Sequence, residues 1–170
     1  KANWQVLDTL SLDLGVRYEH AEQTVDPIQV FTDAPGGAAA IALENNYWLP
    51  AATLTWEIIP DLQFRVSASK TIARPQFREL IYQPYFDPES NRQYLGNPLL
   101  VDSELLNGEA RLEWYFAPEQ RVSGALFYKK IDNPIETVAF FAGGGQLRTG
   151  FANAPEAELY GAEVEAQVYF

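Results

Sequence analysis

The sequence predicts an all-β fold in which antiparallel strands follow one another up and down in chain order. Two observations support this prediction. Apolar and polar side chains alternate with a period of two in six runs of about ten residues, which places each class on one face of a strand. Tight turns and long connections also alternate between these runs. Helical spacing of apolar residues occurs only in one short piece near Phe77 to Tyr82.

The first three runs lie in the amino-terminal half of the chain. They are Leu10 to Tyr18, Trp48 to Ile58 and Leu62 to Ser69, and in each of them aliphatic or aromatic residues alternate with polar ones. The tripeptide Ile59-Pro60-Asp61 separates the second run from the third. Proline fixes φ and aspartate favours turns, so we predict that these two runs form a hairpin.

The remaining three runs repeat this arrangement. Leu106 to Phe116 is followed by the turn Ala117 to Gln120 and by the run Val122 to Lys129, and the last run is Tyr160 to Phe170. We predict a further strand through Ile135 to Phe140 that continues the fifth run. The chain therefore contains about six predicted strands.

The connections between the runs favour a membrane barrel. Long connections span His20 to Asn45, Lys70 to Glu104 and the region around Gly143 to Gly145, whereas the other connections are tight turns. Outer-membrane barrels have short periplasmic turns, long extracellular loops and aromatic girdles, and unstructured loops of such length are uncommon in compact soluble domains. The aromatic residues near run ends are Trp56, Trp114, Tyr115, Phe116, Tyr169 and Phe170. We therefore predict an antiparallel up-and-down transmembrane β-barrel segment, although a soluble sandwich would show the same alternation.

Composition excludes several classes of function. Acidic residues outnumber basic residues 23 to 12, which gives a net charge of −11 and argues against a nucleic-acid partner. Cysteine is absent and His20 is the only histidine, so the chain offers neither thiolate chemistry nor a histidine-based metal site or catalytic triad. We predict no enzyme activity, no cofactor and no metal. Because the chain begins at Lys1 and contains no methionine, we expect a fragment or a processed product.

Several segments closely resemble the barrel of TonB-dependent outer-membrane receptors. They are LDLGVRYE from Leu12, SASKTIARPQFREL from Ser67, GNPLL from Gly96, ELLNGEARLEWYF from Glu104, ALFYKKIDNPI from Ala125 and LYGAEVE from Leu159. Their order is the order of the family. The likeness is nearest to the large receptors common in proteobacteria such as Caulobacter and Xanthomonas relatives.

The resemblance implies a barrel of 22 strands in the outer membrane of a Gram-negative bacterium, filled by an amino-terminal plug domain. Residues 1–170 correspond to roughly a quarter of such a barrel, without the plug, and we expect Phe170 to be the end of the fragment. In the family, the TonB–ExbB–ExbD system energises import of a small-molecule substrate by acting on the plug. The implied partners are therefore the plug, this energy-transducing system, the substrate and outer-membrane lipid.

One polar strand face is the candidate lumen-facing or plug-facing surface. Its charged residues are Arg17, Arg65, Glu109, Arg111, Glu113, Lys129, Glu163 and Glu165. Such groups can form ion pairs with a plug or line a hydrated pathway. The alternative is a solvated surface without a specific partner.

The long connection before the fourth run is the candidate substrate-contacting loop. Its aromatic and arginine residues are Arg74, Phe77, Arg78, Tyr82, Tyr85, Phe86, Arg92 and Tyr94. Aromatic faces beside arginines suit sugar rings or planar anionic ligands. The alternative is that these aromatic residues pack the loop on itself. Pro75 forces Arg74 into extended geometry, so the start of this loop is also predicted to fix the exit of the strand.

The subgroup likeness favours an oligosaccharide or another complex organic nutrient as substrate, with a ferric siderophore next. Two other functions remain open at this point. One is a passive porin-like barrel without a plug, and the other is a soluble carbohydrate-binding β-sandwich with a dry core between two sheets.

Overall fold

The computed structural model describes residues 1–26 and 40–169, which form eleven strands and one short helix. In chain order these elements are β1 (Ala2–Leu7), β2 (Leu10–Val25), β3 (Ile41–Ile59), β4 (Leu62–Ala73), α1 (Phe77–Leu80), β5 (Pro84–Asp87), β6 (Arg92–Leu95), β7 (Ser103–Ala117), β8 (Gln120–Asp132), β9 (Ile135–Phe141), β10 (Leu147–Asn153) and β11 (Glu156–Gln167). The all-β prediction is confirmed, and α1 falls in the one piece with helical spacing. Within the described ranges, no helix is long and apolar enough to cross a bilayer.

Seven strands form the main sheet in the order β1-β2-β3-β4-β7-β8-β11, and every neighbouring pair is antiparallel. The two tight turns predicted from sequence join β3 to β4 and β7 to β8. Each has a residue with positive φ, Asp61 at 71° and Glu119 at 61°. The main sheet is open at both edges within the described residues.

The register sorts the main sheet into an apolar face and a polar face. On the apolar face, Trp48, Leu126 and Val164 are 65%, 64% and 83% exposed. The apolar part of a strand covers about ten residues, which at a rise of ~3.4 Å and a tilt of ~45° spans ~24 Å, the height of an outer-membrane apolar band. A soluble sandwich would bury this face against a second sheet, and no element among the described residues covers it. The structure therefore supports the membrane barrel over the sandwich.

The second sheet is a smaller unit formed by two connections, with the strand order β5-β6-β10-β9. Its central pair, β6 with β10, is parallel, and Tyr94 lies opposite Thr149. We call residues 74–102 and 133–155 the cap. Its buried residues Leu80 and Leu100 pack against Val25 on the polar face of β2, so the cap lies on the polar side of the sheet.

One expectation about the strands is wrong. The segment Ile135 to Phe140 does not continue the fifth strand, because it forms β9 of the cap and pairs with β10. The main sheet contains the six strands predicted from the alternating runs and one further strand, β1. In addition, β2 and β3 extend to Val25 and Ile41, so the first long connection is shorter than the sequence pattern indicated.

The assignment of the two faces can be tested by comparing the effect of a new charge on each face. Leu54→Arg places a guanidinium in the middle of the apolar face and should lower the free energy of unfolding from a bilayer by about 2–4 kcal/mol. Thr53→Arg is the matched control, because Thr53 lies on the polar face opposite Asp13 and Ser67. Equal losses in both variants, measured by urea unfolding in lipid vesicles, would contradict the assignment of the faces.

Candidate functional site

Three aromatic rings from three strands form a stacked column on one face of the cap. The Tyr85 and Tyr94 ring centroids are 5.5 Å apart with an interplanar angle of 15°, and Tyr94 and Phe151 are 5.8 Å apart at 25°. Strand pairing creates this column, because Tyr85 lies opposite Tyr94 and β6 runs beside β10. Both tyrosines remain partly exposed. Phe151 was not recognised from sequence.

Arg78, whose Nε donates a hydrogen bond to Gln76 Oε1 at 3.1 Å, carries a positive charge that acts on Tyr85 at the end of the column. Burial raises the pKa of the Tyr85 phenol, and the positive charge of Arg78 opposes that rise. Arg78 also contributes to holding the pKa of Asp87 below its ordinary value, although the main cause is the hydrogen bond that the Ser90 hydroxyl donates to this carboxylate at 2.7 Å. The column therefore combines stacked aromatic rings with the positive charge of Arg78.

The other predicted loop residues lie elsewhere on the cap. Phe77, Tyr82 and Phe86 are each exposed by more than half, and the Arg92 backbone pairs with Asp87 across the turn from β5 to β6. Of the predicted substrate-contacting residues, the structure brings Tyr85 and Tyr94 into contact, and the charge of Arg78 acts on Tyr85. The stacking also agrees in part with the alternative that the aromatic residues pack the loop on itself.

Arg74 points to the barrel wall and contacts the protein's own carboxylates. Its Nη1 lies 2.5 Å from Glu19 Oε1, and its Nε lies 4.0 Å from Asp102 Oδ2. The same Asp102 oxygen accepts hydrogen bonds from the Tyr47 hydroxyl at 3.0 Å and from Asn45 Nδ2 at 3.2 Å. We call these five residues the clasp. It joins β2 and β3 to the two ends of the first cap segment.

The centre of the clasp, the Asp102 carboxyl group, is largely buried. The Asp102 side chain is only 2% exposed, and its Oδ1 has no hydrogen-bond partner among the described residues. Burial, together with the hydrogen bond to the Asp102 carboxylate, raises the pKa of Tyr47 to about 12. On the open side, the hydrogen bond from Arg74 holds the pKa of Glu19 below its ordinary value. The sequence pattern does not reveal the clasp, because members that contact each other are as far as 57 residues apart.

The eight predicted lumen-facing residues all lie on the polar face of the main sheet. Arg111 Nε donates to Glu109 Oε1 at 2.9 Å, and Arg65 Nη2 lies 3.9 Å from Glu113 Oε2. Arg17 pairs with Glu19 at 3.0 Å. Glu163, Glu165 and Lys129 occupy the same face of β11 and β8 by register. The register places all eight on one face of the sheet, and it stays a prediction that this face lines a lumen or contacts a plug.

The clasp predicts a loss of stability in acid. In the folded protein the pKa of Glu19 is lowered. The stability that Glu19 contributes to the fold is therefore complete above the ordinary pKa of glutamate. It is lost as the pH falls through the pKa of the folded state, below about pH 4. The midpoint temperature of heat modifiability on detergent gels should therefore fall over this range. The Glu19→Gln variant should have a lower midpoint temperature at neutral pH, and its midpoint temperature should lack this part of the pH dependence. Parallel curves for the two proteins would contradict the role of Glu19.

Comparison with known proteins places this geometry in a family. The model of the family described as TonB dependent receptor-like, beta-barrel matches residues 1–170. The hemophore receptor HasR of Serratia marcescens has a TM-score of 0.65 and 14% identity over 93% of this chain. A ferric enterobactin receptor mutant of Pseudomonas aeruginosa, bound to enterobactin, has a TM-score of 0.63 and 14% sequence identity over 95% of this chain. The siderophore receptor PirA of the same species has a TM-score of 0.61 and 14% sequence identity over 92% of this chain.

These three structures share the fold of the chain, which spans only 29%, 23% and 31% of their lengths. The family is a family of transport receptors in the outer membrane of Gram-negative bacteria. The match extends over the entire sequence and agrees with the open antiparallel sheet and its exposed apolar face. The chain therefore belongs to the TonB-dependent receptor family and forms part of its outer-membrane β-barrel.

Proposed function

We propose that this chain forms a sector of a receptor that imports a ferric siderophore with planar, anionic arms. The observation that supports this proposal best is the stacked column of Tyr85, Tyr94 and Phe151 beside the Arg78 guanidinium. Structures with the same fold come from receptors named for enterobactin, siderophores and a heme-carrying hemophore. The comparisons give no support to the oligosaccharide that the subgroup likeness favoured.

The chemistry of the column fits such a ligand. A flat aromatic arm can stack on the partly exposed phenol rings, and aromatic pairs contribute about 0.5–1.5 kcal/mol beyond the area they bury. The guanidinium of Arg78 can donate charge-assisted hydrogen bonds to phenolate or carboxylate oxygens. A neutral ligand would use the rings alone and gain little from Arg78.

In this proposal the barrel sector separates a hydrated import path from lipid. The apolar face contacts outer-membrane lipid, and the polar face contacts the plug or the hydrated path through Arg17, Arg65, Glu109 and their neighbours. Import is energised by the TonB–ExbB–ExbD system through the plug. A passive porin-like barrel would show uptake that does not depend on this system.

An oligosaccharide is the second candidate substrate. The observation that favours it is the exposure of two tyrosine rings with hydroxyl groups, because sugar rings stack their apolar faces on aromatic side chains and donate hydrogen bonds around them. This candidate predicts that Arg78 contributes little, since a neutral sugar carries no charge for the guanidinium.

Binding measurements on the protein in outer-membrane vesicles separate these candidates. Tyr94→Ala should weaken binding of ferric enterobactin roughly 3- to 10-fold through the lost stacking, and Arg78→Gln should weaken it by a similar factor. Phe86→Ala is the matched control, because Phe86 is an exposed aromatic residue of the same strand as Tyr85 but on the other face.

Unchanged affinity in both Tyr94→Ala and Arg78→Gln would overturn the proposed ligand site. Loss in Tyr94→Ala alone, together with binding of a neutral oligosaccharide, would favour the second candidate. Uptake that persists in cells lacking TonB would instead indicate the passive barrel.

A further inference from the structure

The aromatic column is shared between two segments of the cap. Tyr94 belongs to the first segment, residues 74–102, and Phe151 belongs to the second, residues 133–155. The backbones of the two segments pair over only two residue pairs, Tyr94 opposite Thr149 and Leu95 opposite Gly150. A parallel ladder this short fixes the angle and offset of its strands weakly. The alignment of Phe151 with Tyr94 therefore depends on further contacts between the segments.

Asn97 supplies the first of these contacts. It follows the end of β6 by two residues, and its backbone N–H donates to the Glu79 carbonyl of α1 at 2.6 Å. Its side-chain Oδ1 accepts the Leu99 N–H at 2.9 Å, and its Nδ2 donates to the Phe151 carbonyl at 2.9 Å. The Asn97 amide group is thus fixed by its own segment and in turn holds the backbone of Phe151.

Asn153 supplies the second contact, from the opposite segment. Its Oδ1 accepts the Val101 N–H at 2.9 Å, and its Nδ2 donates to the Val101 carbonyl at 3.0 Å. The same Nδ2 donates to the Asn133 carbonyl at 2.7 Å, at the start of the second segment. The two bonds to Val101 reproduce, with a side chain, the pair of bonds that opposed residues exchange in an antiparallel ladder.

We propose that Asn97 and Asn153 are positioning residues for the aromatic column, and we call this pair the asparagine bridge. The bridge fixes β10 to the first segment at two points, at Phe151 and two residues further on. The Phe151 ring therefore stays stacked on Tyr94, with centroids 5.8 Å apart. Without the bridge the segments shift, and a flat ligand meets two aligned rings in place of three. This inference rests on the proposed function, because it concerns the affinity for a ligand that stacks on the column.

Apolar packing does not provide this alignment. Phe151 also packs against the buried cluster of Val25, Leu80 and Leu100. Such packing is non-directional and tolerates small shifts of β10 along its own axis. Hydrogen bonds require defined distances and angles. The apolar core therefore holds the two segments together, and the asparagine bridge sets their register.

The variant Asn97→Asp separates the two hydrogen bonds of this side chain. A carboxylate still accepts the Leu99 N–H, but it has no N–H to donate and it repels the Phe151 carbonyl. For the protein in outer-membrane vesicles, we expect binding of ferric enterobactin to weaken roughly 2- to 5-fold through poorer stacking. Asn153→Asp should weaken binding in the same way, because it keeps the acceptor for the Val101 N–H and loses the donated bonds.

Asn107→Asp is the matched control for both variants. It makes the same chemical change in an asparagine whose Nδ2 donates to Thr71 Oγ1 at 3.2 Å. That bond joins β7 to β4 on the main sheet and does not involve the second cap segment. The affinity for ferric enterobactin should be unchanged in this control.

Double-mutant cycles distinguish positioning of the rings from general damage to the cap. If Asn97 acts through the column, Asn97→Asp adds little to the loss of affinity in Tyr94→Ala and adds in full to the loss in Arg78→Gln. A full additional loss in the Tyr94→Ala background would overturn the proposal, and so would an effect that vanishes in the Arg78→Gln background. Unchanged affinity in both Asn97→Asp and Asn153→Asp, while Tyr94→Ala still weakens binding, would overturn the bridge and leave the proposed function intact.

Site-resolved hydrogen exchange tests the bridge without any ligand. Alternate amides of β10 face its two neighbours, β6 and β9. In Asn97→Asp we expect faster exchange of the amides that face β6, whereas those that face β9 stay protected because the β9–β10 ladder is retained. Exchange identical to that of the unaltered protein would contradict the bridge. Unchanged affinity in Tyr94→Ala would overturn the proposed function instead, and the exchange would still decide whether the bridge aligns the two segments.

Discussion

The requirement that every backbone N–H and C=O inside a bilayer has an internal partner governs this structure. Only a helix or a closed barrel meets it, and the main sheet contributes an antiparallel ladder that joins all seven strands. The ladder between β3 and β4 ends at Ala51 and Ser69, close to the level at which Lys70 and Glu104 form an ion pair on the outward face. Where lipid gives way to water, water can satisfy the backbone N–H and C=O groups, so pairing between neighbouring strands is no longer required.

The extracellular part of the molecule is consequently built on different interactions. The cap gains its stability from a small apolar core and from the parallel pairing of two loops, and the clasp joins it to β2 and β3. One close approach shows how specific this packing is: a Cβ added to Gly96 would lie 2.2 Å from the Ile81 carbonyl oxygen. The aromatic column thus lies on a well-packed cap that continues from β4 and β7 and contacts β2 and β3 through the clasp.

Sequence reasoning was successful where the physics is local. Period-two alternation in Leu10 to Tyr18 predicted the correct faces of β2, and the same rule placed Arg65, Arg111 and Glu163 together on the polar face. It missed β1, whose six residues include no long alternation, and it misplaced β9, because a strand pattern does not reveal its partner. Phe151 and Asp102 were missed for a related reason: their roles arise from contacts with residues more than 50 positions away, which no local pattern encodes.

The orientation of the two faces towards lipid and water is the claim on which the rest of this account depends. Its most direct test is the accessibility of single spin labels at consecutive positions from Leu62 to Ser69 in a lipid bilayer. We expect strict alternation, with oxygen dissolved in the lipid reaching Phe64, Val66 and Ala68, and a water-soluble nickel complex reaching Arg65, Ser67 and Ser69. Uniform access of the nickel complex to all of these positions would contradict it.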